Sequence, residues 1–196
     1  MKVVFWSPVH GGQTTRNMKI LANIFRLRYG MQVRTFENYR LYDNYPFTDR
    51  DGCHVFVDCK SDLNRQVRKL FQNADTVVVN FPQEYKELTS YFKNHPRISA
   101  NIFYLISNSR EDSLDNEKIY RRVLRLKQEE TGVIPYDVRF EYYYAKKQGF
   151  ACQKAVLKGA PCGVGEEFVS KTSEIAVKLL KMNCLFEKDT LYYCLK

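Results

Sequence analysis

Long apolar runs are missing from this chain. None approaches the roughly 18 residues that a membrane-spanning helix needs, so no transmembrane segment is expected. The N-terminus goes straight into a strand-like run, which predicts no signal peptide and a cytoplasmic location. Histidine is scarce, with 3 in 196 residues. None of the six cysteines (Cys53, Cys59, Cys152, Cys162, Cys184 and Cys194) forms a C-x2-C pair. Zinc is therefore not expected, and reduced thiols suit a cytoplasmic protein. Cys53 and Cys59, six apart, read as core packing. Linkers, repeats and low-complexity segments are absent, and the length suits one domain with its own core. Acidic residues are outnumbered, 22 against 31 basic, for a net charge of +9. That balance favours acidic partners such as nucleic acid or anionic membrane.

What is present is a regular alternation of strand and helix patterns. Lys2–Trp6 is a short β-branched and aromatic run, the mark of a strand buried on both faces. A helix of about 15–29 follows, apolar nearly all round, and Gly30 stops it. Met31–Phe36 alternates as a second strand, and residues 37–52 read as an irregular connection. His54–Asp58 is a third strand. The next helix, capped by Ser61 or Asp62, carries Leu63, Val67, Leu70 and Phe71 on one face. Strands follow at Asp75–Asn80, Asn101–Ile106 and Gly132–Pro135. Helices fall at 83–94, 115–129, 138–148, 152–158 and 165–183. The pattern predicts an α/β fold in three layers, a mostly parallel sheet of six to eight strands with helices on both faces.

In such sheets ligands sit beyond the carboxyl ends of the strands. The candidate site is therefore Ser7–Thr15, Asp58–Lys60, Asn80–Gln83, Ser107–Arg110 and Pro135–Asp137. The first of these holds a Gly11-Gly12 break between a strand and a helix N-terminus. That geometry aims backbone N–H groups and the positive end of a helix dipole at a phosphate.

Three of these strand ends resemble the MinD/ParA class of P-loop ATPases, the deviant Walker A group. The matching pieces are Phe5–Gly11, Thr14-Thr15, Ala74–Gln83 and Val133–Asp137. The loop is similar to that of a Gram-positive bacterial branch, which runs W-S-x-x-H-G-Q-x-G-T-T, but is one residue shorter. The resemblance covers roughly 1–185 as a single domain and leaves 186–196 as a tail. It implies a positioning or partition-type protein, a cofactor of ATP or ADP with Mg²⁺, and a homodimer sandwiching two nucleotides. The loop residues His10, Gly11, Gly12, Gln13, Thr14 and Thr15 would bind phosphate, and Thr14 and Asp58 would hold the metal. Asp58 falls where the Walker B aspartate lies and would serve catalysis; the other reading is a strand-end aspartate capping the next turn. Asn108, Pro135, Tyr136 and Asp137 fall where the class holds adenine, or are ordinary turn residues. His10 either touches phosphate or is only a loop residue.

The general pattern G-K-G-G-x-G-K-T-T, laid ungapped on Ser7–Thr15, puts Pro8 and Gln13 where two lysines stand. The loss of a charge-assisted contact of this kind costs on the order of 1.5–3 kcal/mol. The expectation is weak or absent hydrolysis with reduced nucleotide binding. Lys118, Arg121, Arg122 and Arg125 form a basic helical stripe opposite Ile119, Val123 and Leu126. It is either a solvated face or, as in partition ATPases, a surface for nonspecific DNA binding. The tail Leu185–Lys196 reads as an edge strand, a dimer contact or a membrane-targeting helix. Two other classes stay open: an interaction scaffold that binds no nucleotide, and a flavodoxin-like binder of a phosphate ligand. The basic charge and the Ala74–Asn80 segment fit the second less well, and no flavin is expected.

Overall fold

The computed structural model describes residues 1–10, 12–43, 52–82, 91, 96–110, 117–160 and 163–183. Among the described residues there are six strands: β1 (Lys2–Trp6), β2 (Val33–Phe36), β3 (His54–Asp58), β4 (Thr76–Pro82), β5 (Asn101–Ser109) and β6 (Thr131–Pro135). They pair in parallel throughout, in the order β2-β3-β1-β4-β5-β6. The helices are α1 (Thr14–Tyr29), α2 (Tyr39–Asp43), α3 (Arg65–Gln72), α4 (Glu117–Leu124), α5 (Val138–Ala145), α6 (Gly149–Leu157) and α7 (Glu166–Met182).

Alternation along each strand feeds two cores. Val3 and Phe5 of β1 join Phe56, Val78 and Phe103 on one face, packed on Met18, Leu21 and Phe25 of α1 and on Phe168 and Leu179 of α7. Val4 and Trp6 face the other way, with Val57, Val79 and Phe81 against Val67, Leu70 and Phe71 of α3 and Tyr120 of α4. Each large apolar side chain buried this way contributes roughly 1.5–3 kcal/mol. Because helices cover both faces, the central strands read as continuous apolar runs. The result is the three-layer α/β fold that the alternation predicts, with six strands, all parallel.

Helix α1 starts at Thr14 and ends where Gly30 takes a left-handed φ of 64° and returns its N–H to Phe25 O. Several boundaries differ from expectation. The second strand starts only at Val33, where pairing with His54 begins. Tyr39–Asp43 forms a helical turn inside the connection read as irregular. The cap of α3 is Asn64, whose Oδ1 accepts from Gln66 N and Val67 N at 3.0 Å. Ser61 and Asp62, the expected caps, precede it in the chain, and the Ser61 hydroxyl pairs with the His10 ring. The helix expected over 115–129 stops at Leu124: Arg125 turns left-handed (φ 54°) and a 3-10 turn follows at Gln128–Glu130. The helix expected over 138–148 stops at Ala145, and Lys147 has a φ of 59°. Apart from Tyr91, the helix expected over 83–94 lies outside the described residues, as does the tail.

β1 sits between β3 and β4, so successive crossovers leave it in opposite directions. That reversal opens a crevice at the carboxyl end of β1, where the Ser7–Gln13 loop begins.

Candidate phosphate-binding site

The loop after β1 is tied down at both ends. Ser7 N donates to Lys60 O at 2.7 Å, and Cys59 N donates to Phe5 O at 2.8 Å, locking the ends of β1 and β3 together. Val9 N donates to Ser7 Oγ at 3.3 Å. Gly12 lies so close on Ser7 that a Cβ there would overlap the serine side chain, which is why the position has no side chain. Gln13 then takes a left-handed conformation (φ 55°) before α1. Among the described residues no side chain caps this helix. Its first N–H groups, which have no partner within a helix, face a cleft of about 330 Å³.

That cleft is lined by Ser7, Val9, His10, Gly12, Gln13, Thr14, Thr15, Arg16, Lys60, Ser61 and Tyr144. Of the sequence-predicted phosphate residues, His10, Gly12, Gln13, Thr14 and Thr15 therefore come together, and Gly11 lies outside the described residues. His10 Nδ1 pairs with Ser61 Oγ at 2.7 Å across the cleft. Asp58 is fully buried at the end of β3. Its carboxylate accepts from the Thr15 hydroxyl and, at 2.8 Å, from Lys60 N. The ungapped loop comparison puts the metal hydroxyl on Thr14, but the hydroxyl that reaches Asp58 is that of Thr15, and Thr14 is the buried first residue of the helix.

The residues present fit a magnesium diphosphate in two respects and not in a third. Thr15 gives its one proton to Asp58, which leaves its oxygen lone pairs for a hard cation. The uncapped amides and the Gly12 approach suit phosphate oxygens. Gln13, in contrast, carries no charge, and its Oε1 is buried without a partner.

The expected adenine residues are not gathered in this cleft. Pro135 and Tyr136 line a different one of about 760 Å³ with Ser109, Arg110, Val133, Glu167 and Lys171. The Arg110 guanidinium sits 4.6 Å from the Tyr136 ring centre. Both Asp137 oxygens serve as caps, accepting from Phe140 N at 2.7 Å and Gly165 N at 2.8 Å. Asn108 occupies a bulge in β5 with a φ of 54°, and its Oδ1 is buried without a partner.

Asn17, which sequence reasoning passed over, lies beneath the loop and joins two strand-end residues that it named, Asn80 and Ser107. Asn17 Nδ2 donates to Asn80 Oδ1 at 2.9 Å and to Ser107 Oγ at 2.6 Å. Asn80 Nδ2 in turn donates to Trp6 O at 3.1 Å. This buried chain joins α1 to the ends of β1, β4 and β5. Arg16, at the third position of α1, is paired with Glu141 of α5. Its signal in the sequence was a cation in the first turn of a helix, where the dipole disfavours one.

In the basic stripe, Lys118, Arg122 and Arg125 are exposed, whereas Arg121 is half-buried. The inward face of α4 is Tyr120 and Leu124, and Val123 is 39% exposed, so the apolar side is not the expected Ile119, Val123 and Leu126.

This sheet order and loop-to-helix crevice define a P-loop NTPase-like fold. Among solved structures, a ParA family ATPase from Chlorobium tepidum superposes with a TM-score of 0.62 at 10% identity, covering 90% of this chain and 98% of that one. A Borrelia burgdorferi B31 protein assigned to plasmid partition, bound to AMPPNP, gives 0.62 at 11% identity, covering 92% and 98%. The septum site-determining protein MinD from Pyrococcus horikoshii, complexed with Mg-ADP, gives 0.60 at 11%, covering 94% and 98%. The fold of this chain is thus MinD/ParA-like. No family model matches the sequence, and no curated protein matches it. Among the described residues, no helix is long and apolar enough to cross a membrane.

Proposed function

We propose that this chain is a nucleotide-responsive protein of the positioning or partition type, with weak or no ATP hydrolysis. The observation that carries the reading is the Thr15–Asp58 pair at the uncapped start of α1. Thr15 and Asp58 would hold Mg²⁺, and the amides of Gly12 to Arg16 would hold the diphosphate. The metal, when bound, supplies positive charge to phosphate oxygens. Protein charge at the reacting phosphoryl group is what the loop lacks, with Pro8 and Gln13 in place of lysines. Transition-state charge then goes largely unneutralised, which slows hydrolysis more than binding.

The neighbours support the reading by what they contain: AMPPNP in the Borrelia protein, Mg-ADP in the Pyrococcus one. A MinD from Aquifex aeolicus forms a complex with MinC, and a protein partner that reads nucleotide occupancy is part of this proposal. So is a homodimer, which must use contacts other than a lysine at position 8. Nonspecific DNA binding through Lys118, Arg121, Arg122 and Arg125 is a further element.

A second reading, an interaction protein of the same fold without nucleotide, draws on one feature. Both Asp58 oxygens are already satisfied within the protein. Calorimetry with ADP·Mg²⁺ and ATP·Mg²⁺ separates the two. Micromolar binding that Thr15→Ala abolishes supports the first; no heat at millimolar nucleotide selects the second. Gln13→Lys restores a cation to the loop and is expected to tighten binding by about tenfold, the order of one charge-assisted contact.

A further inference from the structure

We propose that Arg16 is the cationic phosphate-recognition residue of the cleft, standing in for the absent loop lysines, and that Glu141 competes with bound phosphate for it. The inference rests on the nucleotide reading above.

Arg16 is in an unfavourable place for a cation. It occupies the first turn of α1, at the positive end of the helix dipole. Its side chain is only 6% exposed. Burial lowers its pKa from the ordinary arginine value, and the charge of Glu141 works the other way. A buried cation at that position needs anions around it. Glu141 supplies one, bonded to Nη2. The Phe140 ring supplies a second, weaker attraction, 5.4 Å from the guanidinium carbon.

The guanidinium is nonetheless under-used. It carries five N–H donors. Nη1 reaches Asn17 Oδ1 only at a long 3.4 Å, and Nε is buried without a partner. The same residue lines the cleft beside Gly12, Gln13 and Thr15. Its planar fork matches phosphate oxygens in pairs. Lys60 also lines the cleft, but it is exposed, and water screens its charge. A desolvated charge acts more strongly at the same distance.

Glu141 is 27% exposed, so it can turn to solvent when a phosphate takes its place. It belongs to α5, as do Phe140 and Tyr144. Occupancy of the cleft is thereby felt by α5.

The test is calorimetry of Mg²⁺-pyrophosphate and Mg²⁺-ADP on the full chain and on the variants Glu141→Gln, Arg16→Gln, and both together. Glu141→Gln is expected to tighten both ligands by about tenfold and Arg16→Gln to weaken them by at least as much. In the double variant the gain from Glu141→Gln disappears, which a purely structural ion pair would not produce. Equal gains with and without Arg16, or unchanged affinity in Glu141→Gln, overturn the role of Arg16 while leaving the nucleotide reading intact. No binding by the unmodified chain or by Glu141→Gln overturns both. Where Arg16→Gln does not fold, Arg16→Lys takes its place in both arms and is expected to weaken binding and shrink the gain from Glu141→Gln, because the planar fork is lost; an undiminished gain overturns the role.

Discussion

At the scale of single residues, the loop is built on close approaches. Gly12 lies against Ser7 with no room for a methyl group. Gly12→Ala is expected to lower stability by about 1–3 kcal/mol through overpacking, measured by urea unfolding. Ser7→Gly in the same chain should recover much of that loss, since the clash is with the serine side chain. Failure of the second change to rescue the first would mean that the glycine is needed for another reason. Gln13 shows a different compromise. It holds a left-handed φ of 55°, a conformation that costs a non-glycine residue about 1–2 kcal/mol. The next residue but one, Thr15, reaches Asp58 from the first turn of the helix.

At the scale of elements, the join between α1 and the sheet is polar at the very place where the core is otherwise apolar. Asn17 bonds to both Asn80 and Ser107, and all three are fully or almost fully buried. Replacing Asn17 takes one buried partner from each of the other two. Asn17→Leu is expected to cost about 1–3 kcal/mol, seen as a lower denaturant midpoint. It should also loosen the start of α1, so that amide hydrogen exchange rises at Thr14–Ile20 more than at β4. A uniform rise across the molecule would argue that the chain of amides does not hold the loop specifically. The helix boundaries belong to this scale too. The end of α1 was legible because Gly30 marks it. The end of α4 was not, because Arg125 turns left-handed with no glycine to announce it.

At the scale of the whole molecule, the net charge of +9 and the outward Lys118, Arg122 and Arg125 set the terms for any acidic partner. If α4 contacts duplex DNA, log K should fall with log salt by about 0.9 per phosphate contact. Arg122→Glu with Arg125→Glu should then weaken binding by at least about tenfold and flatten that slope by roughly 2. Fluorescence anisotropy with a short duplex at several salt concentrations measures both quantities. Unchanged binding in the double variant would assign those charges to the solvated surface.

The sequence by itself determined the class of fold. Strands with two buried faces and helices between them leave few alternatives to a parallel sheet covered on both sides. It also directed attention to the carboxyl ends of the strands, where ligands collect in such sheets. Only the tertiary structure decided which residues meet there. Thr15 rather than Thr14 faces Asp58, Asn64 rather than Ser61 caps α3, and Asp137 serves two helix N-termini. Arg16 and Glu141 meet although 125 positions apart in the chain. The physical reason is common to all of these. Periodicity reports which side of an element is apolar, but a hydrogen bond or ion pair depends on where a second element brings its partner, and local sequence carries no record of that.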